Sequence, residues 1–267
     1  MIAELALRKG YQVHRSSQPH GARLEREPRI LERVKDYGAS TVIVVEMPGP
    51  ETEEAIRAMG KHLVVIDHHN YTDLERAHAP DGSTLPSSLE QFLAYAGIEE
   101  VHLRRWGYEP DLVRGIGLWD AGYIWGVMAA GYSRERALEV AAFKDELAEK
   151  VGAAEADPVN RAEAERVFQD REKFGSYFVV VSLHPTARIR SSLSRLFAFT
   201  YWKPMTVIIS ERAGERLYVQ ETDRALDLFH CFGGFTFGTD RNWGYDNETE
   251  EEKVTLGQVK EFLGGRE

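Results

Sequence analysis

The sequence predicts an α/β protein with a parallel sheet in its first part and a smaller α/β domain in its second, joined by a helical linker. Residues 41–45 and 63–66 are uninterrupted apolar runs of strand length, typical of strands buried on both faces of a parallel sheet. A helical pattern at 51–59 separates them, and this order of elements makes a right-handed crossover. We therefore expect the carboxyl ends of both strands at one edge of the sheet.

The rest of the first part has the pattern of helices and loops. The segments expected there are a helix at 2–8, a brief strand at 11–14, a loop at 16–21, a helix at 28–37, a loop at 70–86 and a helix at 87–96. Residues 113–119 are apolar and suit either a strand or a helix, because their glycines and Arg114 weaken the strand interpretation.

A charged, alanine-rich segment at 151–174 predicts the helical linker, which places a first domain at 1–150 and a second at 175–267. A long helix at 132–151, capped by Ser133, precedes it. The second domain is expected to contain strands at 177–181, 205–209 and 215–219, helices at 191–199 and 255–263, and a glycine- and aromatic-rich loop at 232–238.

Composition narrows the class of protein. A chain of 267 residues with 43% hydrophobic and 28% charged residues is ordinary for a soluble globular protein. Its net charge of −10 disfavours broad capture of long nucleic acid, although a local basic patch can still hold a short nucleotide. A single cysteine, Cys231, fits a reducing compartment, and no apolar run approaches the ~20 residues that span a bilayer. We expect a cytoplasmic protein without a membrane partner; a homodimer stays open.

The second buried strand runs directly into Asp67, His68, His69 and Asn70, and the first ends at Glu46. Open α/β sheets bind their ligands at the carboxyl edge of the strands. Carboxylate oxygen and imidazole nitrogen are both ligands of divalent metals. Adjacent residues on a strand face opposite sides, so His68 and His69 cannot both be simple metal ligands unless the strand has ended before them. We expect one histidine to face a metal and the other a substrate.

This Asp-His-His motif, after a strand ending in an acid and before a later aspartate, resembles that of the DHH phosphoesterase superfamily. The superfamily includes RecJ-type exonucleases, oligoribonucleases, cyclic-dinucleotide phosphodiesterases and family II inorganic pyrophosphatases. The resemblance covers roughly residues 1–125. Further along, Arg188-Ile189-Arg190-Ser191-Ser192 and Phe232-Gly233-Gly234 look like parts of a degenerate DHH-associated domain.

The resemblance implies a role for each matching residue. Glu46, His68 and Asp120 occupy the positions of metal ligands. His69 occupies the position of a histidine that faces the phosphoryl group, and Asp67 would orient an imidazole. In the family, the DHH-associated domain holds the substrate across an inter-domain cleft, which implies substrate-binding roles for Arg188, Arg190, Ser191, Gly233 and Gly234.

Departures from the family pattern bear on the metal. The family's first motif, His-x-x-x-Asp-x-Asp, is not found; a coding region read from too late a start codon would explain its loss equally well. Glu46 stands where the family has aspartate, and Phe235 where it has histidine. We therefore expect one Mn²⁺, or another divalent cation, rather than two, unless His14 or His20 adds a ligand.

Several residues of the second part allow two interpretations. Arg188 and Arg190 alternate along an extended stretch, which suits either a fork for phosphate oxygens or a solvated surface. The glycine pair at 233–234 suits either a close approach to a ligand or a hairpin turn. Trp243 and Tyr245 suit either stacking on a base or a place in the core.

Two functions follow. The first is a manganese-dependent phosphoesterase that hydrolyses a small phosphodiester, such as a short single-stranded oligonucleotide or a cyclic dinucleotide. The alternative is a catalytically weakened relative that binds a nucleotide or a partner protein without turnover.

Overall fold

A computed structural model describes residues 1–18, 21–71, 74–152, 157–238 and 240–264 of the chain. The chain divides into two compact units, Met1–Val140 and Ala141–Glu267. The elements of the first unit are α1 (Ile2–Arg8), α2 (Ile30–Asp36), β1 (Thr41–Val45), α3 (Pro50–Ala58), β2 (His62–Ile66), β3 (Asn70–Tyr71), β4 (Leu74–Glu75), α4 (Ser88–Tyr95), α5 (Glu100–Arg105), α6 (Pro110–Ala129) and the start of α7 (Arg134–Val151).

The second unit takes in the remainder of α7 and a larger sheet. Its other elements are α8 (Pro158–Gln169), β5 (Glu172–Phe174), β6 (Tyr177–Val181), α9 (Arg190–Tyr201), β7 (Val207–Glu211), β8 (Arg216–Gln220), α10 (Ala225–Phe232), β9 (Phe235–Phe237), β10 (Asn242–Asp246) and α11 (Leu256–Gly264). The domain boundaries at 150 and 175 stay predictions. Helix α8, within the predicted linker, buries Ala164 and Val167 in the core of this unit; residues 153–156 lie outside the described part of the chain.

Strands β1 and β2 pair in parallel, with Val45 opposite Ile66. Helix α3 connects them, as the apolar runs and the intervening helical pattern predict. Val44 and Ile56 are buried together in a core cluster. Both strands therefore end at one edge, where Glu46 and Asp67 follow them.

Three other segments of the first unit correct or complete the sequence expectations. The strand predicted at 11–14 is wrong: these residues have no regular structure, and the Tyr11 ring packs edge-on against Phe92 instead. The loop predicted at 70–86 contains a short antiparallel pair, β3 and β4. Residues 113–119, for which the sequence allows a strand or a helix, are helical and belong to α6.

Helix α6 is rich in glycine because its neighbours approach closely. A Cβ atom built at Gly115 would lie 2.4 Å from Val140 Cγ2, and one built at Gly117 would lie 2.4 Å from Ser87 Oγ. Ser87 caps α4, accepting a hydrogen bond from the Glu90 N–H. The contact at Gly117 thus places α6 against the start of α4. Asp120 follows Gly117 on α6 by about one turn.

Helix α6 is interrupted at Gly122 and Tyr123, whose backbone angles are not helical; Tyr123 has a φ of 55°. Asp120 therefore lies at the end of the first helical segment. Among the described residues, no helix is both long and apolar enough to cross a bilayer.

The second unit is built on a six-stranded sheet in the order β5-β6-β7-β8-β10-β9. Strands β6 and β7 are parallel. The strands predicted at 205–209 and 215–219 are present as β7 and β8, which pair as an antiparallel hairpin. Alternate residues pack on opposite faces: Ile208 packs with Trp243 and Tyr245 on one face, and Ile209 on the other. Trp243 and Tyr245 are thus core residues rather than exposed stacking surfaces.

We expect Gly117→Ala to destabilise the first unit. Alanine gains about 1 kcal/mol of helix propensity over glycine, but forcing a methyl group to within 2.4 Å of Ser87 Oγ costs about 1–3 kcal/mol. Urea unfolding measures the difference. Gly122→Ala, at the interruption of the same helix and with no atom within 4 Å of the added Cβ, is the control for an added methyl group that meets no neighbour. Equal stability of the two variants would contradict the packing argument.

Candidate metal centre

The chain leaves the sheet immediately after β1 and β2. Glu46 follows β1 with a left-handed φ of 53°, and its N–H donates to the Ile66 carbonyl at 3.0 Å. Strand β2 ends at Ile66, before the two histidines. The alternation of a strand therefore does not force His68 and His69 to opposite sides.

Asp67 organises the turn that follows β2. Its side chain is buried, and Oδ1 accepts hydrogen bonds from the N–H groups of His68 at 2.8 Å and His69 at 3.1 Å. The same oxygen lies 2.9 Å from His69 Nδ1. The backbone carbonyl oxygen of Asp67 accepts a hydrogen bond from Gln91 Nε2 at 2.6 Å. One carboxylate thus sets both the backbone of the motif and the orientation of one imidazole.

His68 lies between two carboxylates. Its side chain is 9% exposed, and its Nδ1 is 3.7 Å from Glu46 Oε1. Its Nε2 is 3.9 Å from Asp120 Oδ2, on a side chain that is 52% exposed. Both carboxylates predicted as metal ligands with His68 therefore lie near its ring, but at different ring nitrogens. Their roles remain predictions.

His69 lies beside His68, with ring centroids 4.3 Å apart. The hydrogen bond to Asp67 raises the pKa of His69 above its usual value, against the lowering effect of partial burial, and the charges of Glu46, Asp67 and Asp120 raise it further. The carboxylates around the ring therefore favour positive charge there, which suits a cation bound nearby.

Donor atoms of Glu46, His68 and His69 all lie within 4.8 Å of one another, close enough to share one ion. This set contains both histidines, whereas the resemblance assigned His69 to the substrate and Asp120 to the metal. Carboxylate and imidazole donors suit manganese and zinc. A ligand histidine commonly donates its other ring N–H to a carboxylate, as the His69–Asp67 pair would. The residues present therefore fit a divalent cation.

Sequence reasoning missed two polar side chains of α4. Ser88 Oγ lies 3.0 Å from His68 Nδ1, and Gln91 binds the Asp67 carbonyl. The Ser87-x-x-Glu90 capping box marks the start of this helix in the sequence. It does not reveal which residue the helix faces, since twenty positions separate Ser88 from His68.

Arg188, Arg190 and Ser191 lie at or before the first turn of α9. The Arg190 guanidinium lies over the rings of Phe237 and Tyr218, at 4.8 and 5.6 Å from their centroids. Its backbone N–H donates to Glu211 Oε1 at 2.7 Å. Arg188 is exposed. Their substrate-binding roles stay predictions.

Gly233 and Gly234 both have positive φ values, 77° and 82°. The Gly233 carbonyl accepts a bond from Trp243 Nε1 at 2.8 Å, and a Cβ at Gly234 would lie 2.3 Å from the Gly244 carbonyl oxygen. These glycines allow the chain to pass close to β10. A substrate-binding role for them is untested.

The sequence offers two further histidines, His14 and His20, as candidate metal ligands. His14 pairs with Glu27 at 3.6 Å and also contacts Arg33. His20 lies outside the described part of the chain.

No protein-family model matches the sequence. No curated protein matches it either. Among solved structures, a crystal structure of exonuclease RecJ bound to manganese is similar over 99% of this chain and 85% of that chain, with 14% sequence identity and a TM-score of 0.44. A TM-score of 0.44 is too low for this likeness to establish a fold or a function.

Glu211 gives the second unit a pH-dependent stability. Burial raises the pKa of its carboxyl above the usual value, although the N–H groups of Arg190 and Ile189 lower it. The folded chain therefore binds the proton more tightly than the unfolded chain, and this residue's contribution to stability grows as pH falls toward 4.5.

We expect Glu211→Gln to remove this dependence. The free energy of unfolding of the variant minus that of the wild type should be larger at pH 7 than at pH 4.5. Chemical denaturation at the two pH values measures it. Glu172→Gln, at an exposed position on β5, serves as the control. A difference that is the same at both pH values would contradict the burial argument.

Proposed function

We propose that the chain is a metal-dependent phosphoesterase that hydrolyses a small phosphodiester, such as a short oligonucleotide or a cyclic dinucleotide. The observation that carries the proposal is the convergence of Glu46 and Asp120 on the two ring nitrogens of His68, at 3.7 and 3.9 Å. The reaction class comes from the resemblance of the Asp-His-His motif to phosphoesterases.

Glu46, His68 and Asp120 are the proposed ligands of one divalent cation, Mn²⁺ in the simplest case. His68 Nε2 and Asp120 would bind it, and Glu46, which lies at the other ring nitrogen, would have to turn toward it. When bound, such a cation lowers the pKa of its water ligand and stabilises charge on the phosphoryl group. His69 would donate to a phosphoryl oxygen, with its ring oriented by Asp67. Asp67 would act through His69 and through the backbone of the motif.

A small substrate fits the charge of the chain better than a long polyanion does. The net charge is −10, and three carboxylates contribute to the field at His69. In the second unit, Arg190 presents a planar guanidinium supported by two aromatic rings, a group suited to phosphate oxygens. Arg188, Ser191 and the backbone at Gly233 and Gly234 are the other proposed substrate contacts.

We expect His68→Ala to lower manganese-dependent hydrolysis of a generic phosphodiester by ~100-fold or more, because it removes the central donor. Initial rates with and without manganese measure this. His62→Ala, exposed at the opposite end of the same strand, should retain full activity. Equal activity in His68→Ala would refute the site. A wild-type chain that binds phosphodiester without turnover would instead favour a nucleotide-binding module.

The third metal ligand can be identified by comparing Asp120→Asn with His69→Gln. We expect Asp120→Asn to weaken manganese binding ~10–100-fold, and His69→Gln to reduce the hydrolysis rate while leaving metal affinity nearly unchanged. Titration of free Mn²⁺ by electron paramagnetic resonance measures the affinity. The reverse pattern would make Glu46, His68 and His69 the ligand set.

A further inference from the structure

The His68 ring is held at one of its nitrogens by a single residue of α4. Ser88 is completely buried, and its Oγ lies 3.0 Å from His68 Nδ1. The backbone N–H of the same serine lies 3.3 Å from the same nitrogen. Glu46 Oε1 is farther from it, at 3.7 Å.

The two groups of Ser88 differ in the tautomers of the imidazole that they allow. A neutral histidine has one ring N–H and one ring lone pair. The Ser88 N–H can only donate, and so favours a lone pair on Nδ1 and a proton on Nε2. The Ser88 hydroxyl can donate or accept, so it allows either tautomer and is the group of Ser88 that permits a proton on Nδ1 and a lone pair on Nε2. The bond made at one nitrogen sets the state of the other.

The nitrogen that faces Asp120 is Nε2, at 3.9 Å. A cation shared by His68 Nε2 and Asp120 requires the lone pair on Nε2, and hence the proton on Nδ1. Ser88 Oγ is the acceptor that this tautomer needs. The backbone N–H alone would favour the tautomer that cannot bind metal through Nε2.

We propose that Ser88 is a positioning residue of the metal centre, whose hydroxyl accepts the Nδ1–H of His68 and thereby directs the Nε2 lone pair to the cation. This inference rests on the proposed metal site. Gln91, one turn later on α4, binds the carbonyl groups of Asp67 and Pro86 at 2.6 and 2.8 Å. Gln91 thus contacts the backbone of the motif, whereas the Ser88 hydroxyl contacts the His68 ring.

The test begins with the affinity of the full chain for Mn²⁺ alone. Ser88→Ala removes the acceptor and keeps the opposing N–H, so we expect affinity to fall ~10–100-fold. Ser88→Thr keeps a hydroxyl and should restore affinity to within a few-fold of the wild type. Ser182→Ala is the matched control: its buried hydroxyl donates to Glu163 in the second unit, at 2.6 Å, and its loss should not change metal affinity.

A second measurement needs no variant of Ser88. In wild-type protein loaded with Zn²⁺, the ¹⁵N shifts of the His68 ring, assigned against His68→Gln, should show a protonated Nδ1 and a metal-bound Nε2. A metal-bound Nδ1, on the side of Glu46, would overturn the proposal.

The outcomes separate this inference from the proposed function. Wild-type affinity in a folded Ser88→Ala would overturn the positioning role while leaving the phosphoesterase proposal intact. If Ser88→Ala and Ser182→Ala both lose manganese binding, the loss reflects a general effect on stability. That result would also overturn the positioning role of Ser88. Failure of the wild type to bind any divalent cation would overturn both.

Discussion

The candidate centre depends on one buried carboxylate. Asp67 Oδ1 is bonded to the N–H groups of both histidines and to the His69 ring. An ionised carboxylate out of contact with water is costly unless such donors surround it. The same bonds that compensate for its burial therefore fix the path of the chain at 67–69, and the positions of both imidazoles follow from that path.

Strand pairing and helix packing in the first unit bring Glu46 and Asp120 to this turn. The parallel pairing of β1 with β2 sets Glu46 beside Asp67, since the two strands end at the same register. The close contact at Gly117 sets α6 against the cap of α4. Helix α4 supplies Ser88 to His68, and α6 supplies Asp120 one turn after Gly117. A packing contact between two helices thus contributes to the geometry of a polar site.

The sequence predicts the parts of this arrangement that depend on local pattern. It shows the apolar runs of β1 and β2, the helix between them and the acids and histidines that follow the strands. Each of these is a local pattern of neighbouring or regularly spaced residues. The sequence leaves 113–119 open between strand and helix, because its glycines and Arg114 weaken the strand interpretation without establishing a helix. Only the close contacts at Gly115 and Gly117 explain why glycine is needed there. Ser88 and Gln91 were missed because nothing local reports a partner twenty positions away. In the second part, the sequence allows Trp243 and Tyr245 either to stack on a base or to lie in the core. The pairing of β10 with its neighbours places both in the core.

The left-handed backbone at Glu46 sets two properties of that position against each other. Glutamate is an uncommon occupant of this conformation, which aspartate and asparagine adopt more readily. Shortening the side chain would relax the main chain but withdraw the carboxylate from the imidazole at 68. Position 46 therefore combines an unfavourable backbone conformation with the side-chain length that brings a carboxylate to 3.7 Å from His68 Nδ1. An aspartate there would keep this distance only if β1 ended closer to the turn at 67–69.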